Sequence, residues 1–150
     1  MAELKNKVIW LTGASSGIGE ALAYELARRG AKLILSARRK EELERVKKNC
    51  SPRAQENINI LLLDLTQPGT LEESTRDAIK EFGHIDILIN NGGISQRSFV
   101  QETSLEVYRR LMEVNYFGAV SLTKYLIPHF ISRKQGHFVT MSSLAGKFGT

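Results

Sequence analysis

The chain has 150 residues, 42% of them hydrophobic and 25% charged, which is enough for one core and typical of a globular domain that folds in water. Its net charge of +5 comes from interleaved basic and acidic residues, as in EELERVKK; that pattern describes a solvated helix face, argues against a nucleic-acid binder and leaves open only a local anion site. No apolar run approaches the roughly 18 residues of a membrane helix, and the start, MAELKNKV, has no apolar core of a secretory signal.

Cys50 is the sole cysteine, so no internal disulfide can form and a reducing, cytoplasmic setting is expected. Asn49-Cys50-Ser51 matches the glycosylation acceptor pattern, which without an export signal is read as chance. No metal site is expected.

Strand and helix patterns alternate along the chain. Residues 7–12 (KVIWLT) read as a buried strand, and residues 18–29 (IGEALAYELARR) as a helix with Ile18, Leu22 and Leu26 on one face. Gly30 stands where a glycine closes a helix. Residues 32–36 form a second strand. Residues 41–49 form a short helix with acids early and lysines late, in keeping with the helix dipole. A polar loop at 51–57 leads to a third strand at 58–65 (INILLLDL) and a helix at 69–82 that ends at Gly83. A fourth strand covers 85–90. A long helical stretch runs from 104 to about 133, with Asn115 and Pro128 as its irregular points. The fifth strand covers 137–142 (HFVTMS). Short apolar strands separated by helices predict an α/β fold, a doubly wound, Rossmann-type parallel sheet of about five strands in one unit spanning residues 1–150.

The first strand runs into Gly13-Ala14-Ser15-Ser16-Gly17-Ile18-Gly19. A glycine-rich loop between a first strand and its helix gathers backbone N–H groups and the positive helix end at one point, an anion site suited to a diphosphate. The alternative, a loop that merely needs flexibility, explains three glycines at one junction less well. The second strand ends Ser36-Ala37-Arg38-Arg39 without an acid. An acid there would bond ribose hydroxyls, whereas arginine accommodates a 2′-phosphate. Arg38 is therefore the candidate clamp, supported by Ser36 and Arg39, against the alternative that both arginines are ordinary surface residues. Glu41 and Glu42 are read as helix N-terminal acids. The third strand ends at Asp64-Leu65 and the fourth at Asn90-Asn91-Gly92-Gly93, both at the carboxyl edge where ligands bind in open α/β sheets.

TGASSGIG, DL, NNGG, VNYFG and VTMSS occur in that order, and with them the chain resembles the short-chain dehydrogenase/reductase family over nearly its whole length. One departure is Gly92-Gly93, where Ala-Gly is usual. The resemblance implies NADP(H) as cofactor and a small-molecule carbonyl or secondary alcohol as substrate, of an apolar class such as a steroid, retinoid or xenobiotic. It implies that Gly13, Ser15, Ser16, Gly17, Ile18 and Gly19 hold the diphosphate and neighbouring ribose, that Asp64 and Leu65 meet the adenine, and that Asn91, Gly92 and Gly93 line the cofactor. It assigns Asn115 to a proton relay and Ser143, flanked by Ser142, to orienting the substrate carbonyl. The family's general acid and its lysine lie in a Tyr-x-x-x-Lys motif. Here Tyr24, Tyr108, Tyr116 and Tyr125 are followed four residues later by Arg28, Met112, Val120 and His129, so the motif is absent from these residues. The expectations are a chain covering the N-terminal part of such an enzyme, inactive alone, or a dinucleotide-binding module without catalysis. In the family the sheet continues past the fifth strand, so an open strand edge and self-association, homo-oligomer included, are expected. Some relatives carry an N-terminal anchor, which for a longer form implies the endoplasmic reticulum membrane.

Overall fold

Val8 and Trp10 point to one face of the sheet and Ile9 and Leu11 to the other, and all four are fully buried. A strand that buries both faces needs a layer on each side. The computed structural model, which describes residues 4–144, provides both layers. The strands are β1 (Val8–Thr12), β2 (Lys32–Ala37), β3 (Ile58–Leu62), β4 (Ile87–Asn90) and β5 (His137–Thr140). They pair in parallel in the order β3-β2-β1-β4-β5, so β1 is central. The helices are α1 (Gly17–Arg28), α2 (Lys40–Lys48), a single turn α3 (Pro52–Gln55), α4 (Leu71–Phe82), α5 (Leu105–Met112) and α6 (Gly118–Arg133). One core layer packs Ile9, Leu11, Leu33 and Leu35 against Ala23 and Leu26 of α1 and Leu43 and Val46 of α2. The other packs Trp10, Ile34 and Leu88 against Leu71 and Ala78 of α4 and Leu122, Leu126 and Phe130 of α6.

The doubly wound parallel sheet is as expected, with differences at element ends. The polar loop at 51–57 contains α3, started by Pro52 at its first helical position, where a missing N–H costs nothing. The third strand stops at Leu62 because its neighbour β2 stops at Ala37, the residue paired with it; Asp64 and Leu65 therefore lie in the loop beyond. The fifth strand ends at Thr140 rather than Ser142, although the Met141 N–H still donates to the Asn90 carbonyl. The irregular point at Asn115 is a π-turn, Glu113–Phe117, between α5 and α6. Pro128 stays inside α6, where Leu122, Leu126 and Phe130 anchor the helix in the core on both sides of the lost hydrogen bond.

At the amino edge of the sheet Asp86, 6% exposed, ties three elements together. It accepts from the Val8 N–H at 3.0 Å and from Arg133 at 2.9 Å, with His84 at 3.4 Å. Burial pushes its carboxyl up, but these three partners outweigh it and hold the group below the usual carboxylate range.

Candidate cofactor site at the carboxyl edge

Thr12, the last residue of β1, is 1% exposed. Its hydroxyl donates to the Ile89 carbonyl at 3.2 Å and accepts from the N–H groups of Asn91 and Gly92, each at 3.0 Å. The Asn91 amide donates to the carbonyls of Thr12 and Gly13 at 3.0 and 3.2 Å. The loops after β1 and β4 are thus fastened to each other, and the space between them is kept clear. A Cβ on Gly19 would stand 2.1 Å from the Gly13 carbonyl oxygen and 2.6 Å from the Asn91 amide. Gly13 itself has φ +66 and faces Gly92 at 2.7 Å from an imagined Cβ. Only residues without side chains fit where α1 meets these two loops.

The result is a cavity of about 390 Å³ along the carboxyl edge, within the usual range for a small-molecule site. Gly13, Ser15, Ser16, Ile18 and Gly19 line one end, Ser36, Arg38, Arg39, Asp64 and Leu65 the next, and Asn91, Gly92 and Gly93 the floor. The described walls therefore take in the predicted loop, strand-end and glycine residues, apart from Gly17. Gly17 opens α1 at φ +57 with open space around it. Ser36 borders the cavity while its hydroxyl accepts the Trp10 indole N–H at 2.9 Å. Ser15 is almost buried, and Ile18 is 62% exposed at the cavity mouth.

The Asp64 carboxylate accepts from the Thr66 N–H at 2.9 Å and the Thr66 hydroxyl at 2.8 Å. Burial raises its proton affinity. The Thr66 bonds and the charges of Arg38 and Arg110 outweigh that, so the group stays ionised below its ordinary value. Arg110 is a residue that sequence reasoning missed. It projects from α5 to line the same cavity, with Val114 one turn later. Neither Arg38 nor Arg110 has an ion-pair partner within 4 Å among the described residues. A second, shallower depression lies outside them, bounded by Arg38, Arg109, Arg110, Asp64 and Glu113. This end of the cavity thus has several guanidinium groups and one cavity-lining carboxylate. Spacing along α5 was the available signal: Arg110 precedes Val114 by four residues and shares its helix face.

Asn115 pins the loop after β4. Its amide oxygen accepts from the Ile94 N–H at 2.8 Å, and its amide nitrogen donates to the Ile94 carbonyl at 2.9 Å. Ser142 and Ser143 follow β5 at the same edge and are exposed. Among the described residues no group of three or more His, Cys, Asp or Glu is placed to hold a metal ion, and no helix is long and apolar enough to cross a membrane.

A parallel sheet with a glycine-lined cavity at its carboxyl edge is the architecture of a dinucleotide-binding protein. Residues 7–150 match the short chain dehydrogenase family, and the chain belongs to that family of nicotinamide-dinucleotide oxidoreductases. It is similar to human dehydrogenase/reductase SDR family member 7, 56% identical over 96% of this chain and 43% of the human protein. The mouse protein of the same name is 54% identical over 96% and 44%. A Drosophila melanogaster dehydrogenase/reductase SDR family protein 7-like is 44% identical over 97% and 46%. The chain therefore spans less than half the length of these relatives. Among solved structures, serine dehydrogenase from Escherichia coli superposes with a TM-score of 0.84 at 28% identity, covering 95% of this chain and 65% of that one.

Proposed function

We propose that the chain forms the NADP(H)-binding part of an oxidoreductase acting on the carbonyl or secondary alcohol of an apolar substrate. The observation that carries the cofactor choice is the guanidinium cluster at the second strand end. Arg38, Arg39 and Arg110 line the cavity where an acid would select NAD, and the one carboxylate there, Asp64, is already satisfied by Thr66. A 2′-phosphate supplies the charge this end lacks.

When bound, the nicotinamide supplies or accepts the hydride. The chain's own residues bind and orient. Gly13, Ser15, Ser16, Gly17, Ile18 and Gly19 offer backbone N–H groups and the α1 N-terminus to the diphosphate. Asp64 and Leu65 meet the adenine, and Asn91, Gly92 and Gly93 support the cofactor from below. Ser143 orients the substrate oxygen, with Ser142 beside it, and Asn115 holds the loop next to the nicotinamide end. Met141 and Leu144, which flank the serines, are exposed apolar side chains of the kind an apolar substrate meets.

Two corollaries belong to the same reading. No tyrosine in these residues has a lysine four positions on, so the 150 residues bind cofactor without turning it over, which makes a binding module the alternative for this chain alone. Leu105, Tyr108, Met112, Tyr116, Ile127 and Ile131 are exposed apolar side chains on α5, the π-turn and α6, and such exposed apolar surface favours self-association.

The test is a titration of NADPH and NADH into the chain and into Arg38→Ala. The clamp contributes on the order of 1.5–3 kcal/mol, so NADPH binds about ten- to a hundredfold tighter and loses most of that margin in the variant. Equal affinities overturn the NADP reading, and an unchanged margin in Arg38→Ala overturns Arg38 as its clamp.

A further inference from the structure

We infer that Arg45, on the outer helix α2, is a positioning residue for the diphosphate: it holds the Ser15 carbonyl outward and thereby aims the Ser16 N–H into the cavity. The inference rests on the reading that this loop takes a dinucleotide diphosphate, and not on which dinucleotide it is.

Arg45 is not among the cavity walls. Its guanidinium spans three groups. It forks onto Glu20 of α1 with contacts of 2.7 and 2.8 Å, donates through Nε to Glu42 at 2.9 Å, and donates to the Ser15 carbonyl at 3.3 Å. The Tyr24 hydroxyl also donates to Glu20, on Oε1 at 2.6 Å, and Tyr24 in turn accepts from Asn49 just past the end of α2. The Arg45 and Tyr24 hydrogen bonds keep the Glu20 carboxyl at about 2, so the fork stays charged across the working pH range.

Peptide geometry links this network to the cavity. There is no cis bond among the described residues, and in a trans peptide the C=O and N–H point to opposite sides. Fixing the Ser15 carbonyl toward α2 therefore turns the Ser16 N–H away from α2, toward the cavity that Ser15 and Ser16 line. Ser16 makes no side-chain cap on α1, so the N–H groups opening that helix are left for a ligand. Within the loop, Ala14 is tied to Ser36 and the Ser16 carbonyl accepts from Glu20, while the hydrogen bond to the Ser15 carbonyl comes from Arg45. α2 thus restrains this peptide from outside the loop.

The test compares ADP, which carries the diphosphate, with 2′-AMP, which carries only the adenosine end, on wild-type chain and on Arg45→Met. Loss of one oriented donor to a charged group is worth about tenfold. ADP and NADPH should weaken about tenfold in Arg45→Met, while 2′-AMP stays within about twofold, because a general loosening of the fold would weaken both alike. If Arg45→Met does not fold, Arg45→Lys gives the same contrast: it keeps the charge but loses the fork that reaches Glu20 and Ser15 together. Equal losses for ADP and 2′-AMP, no loss for either, or a wild-type chain that does not bind ADP would each overturn the inference. The NADPH-to-NADH ratio is unchanged by Arg45→Met, since both carry the same diphosphate. A wild-type ratio of one with the ADP loss intact therefore overturns the NADP reading and supports the role of Arg45.

Discussion

The two halves of the sheet are built differently. Around β1 and β2 every interior strand position is buried, α1 and α2 close one face, and the glycine loop rests on this block. Around β5 and the α5–α6 segment the burial is thinner. β5 has no fully buried residue, α5 has none, and Ile131, Met112 and Tyr116 are at least half exposed. Most residues expected to bind cofactor follow β1, β2 and β3, on the closed half, while Asn91, Gly92 and Gly93 follow β4 and are fastened to Thr12. The two expected to serve the chemistry, Asn115 in a proton relay and Ser143 at the substrate carbonyl, sit on the open half. Most of the support for the cofactor thus comes from the closed half, and the loop after β4, held by Thr12 on one side and Asn115 on the other, joins the two.

The largest effect expected from this contrast is on stability. Trp10 is fully buried and its indole N–H is bonded to Ser36, so Trp10→Ala should cost about 3–5 kcal/mol. Val139 of β5 is only partly buried, and Val139→Ala should cost about 1 kcal/mol or less. Urea denaturation of both variants checks the contrast, and equal costs would break it. Next comes Gly19→Ala, which drives a Cβ against the Gly13 carbonyl and so forces α1 away from the loop. We expect about 1–3 kcal/mol of destabilisation by overpacking and a dinucleotide affinity reduced beyond what melting alone explains, read by calorimetric titration.

Arg110 sharpens the comparison, because it belongs to the open half and reaches the cavity of the closed one. Arg110→Ala should weaken NADPH by about three- to fivefold at low salt, with NADH little changed, and the difference should shrink as salt rises. The smallest effect concerns pH. His129 of α6 accepts the Ile85 N–H at 3.2 Å. Burial, then the nearby Arg133 and His84, push its pKa below 6.5. The folded state therefore holds fewer protons than the unfolded one. The contribution is complete above pH 6.5 and is lost as pH falls through the depressed value. Thermal melts from pH 7.5 to 5 should show a decline that is flatter in His129→Gln, by a fraction of a kcal/mol.

The strands and the glycine loop were legible because their signals are local. Five apolar runs, glycines at one junction and acids at helix starts each report the physics of a short window. Asn115 was legible as an irregular point, though not as a π-turn, since a change from i→i−4 to i→i−5 bonding depends on tertiary contacts; here Asn115 holds Ile94 of the neighbouring loop. Asp64 read as a strand residue because its apolar neighbours continue the pattern, while the strand's true end is set by β2. Arg45 carried no local signal, and Arg110 only its four-residue spacing from Val114. Arg45 lies in EELERVKK, which reads as a solvated face, and only tertiary placement brings Arg110 near Asp64 and Arg45 to Ser15.

Amide hydrogen exchange on the chain, with and without saturating NADPH, tests the central claim most directly. The account predicts slow exchange in β1 and β2 and faster exchange in β5 without cofactor. With NADPH it predicts new protection concentrated at residues 13–19, with smaller gains at 36–39, 64–65 and 91–93. Uniform protection across all five strands, or NADPH-induced protection that spares residues 13–19, would contradict it.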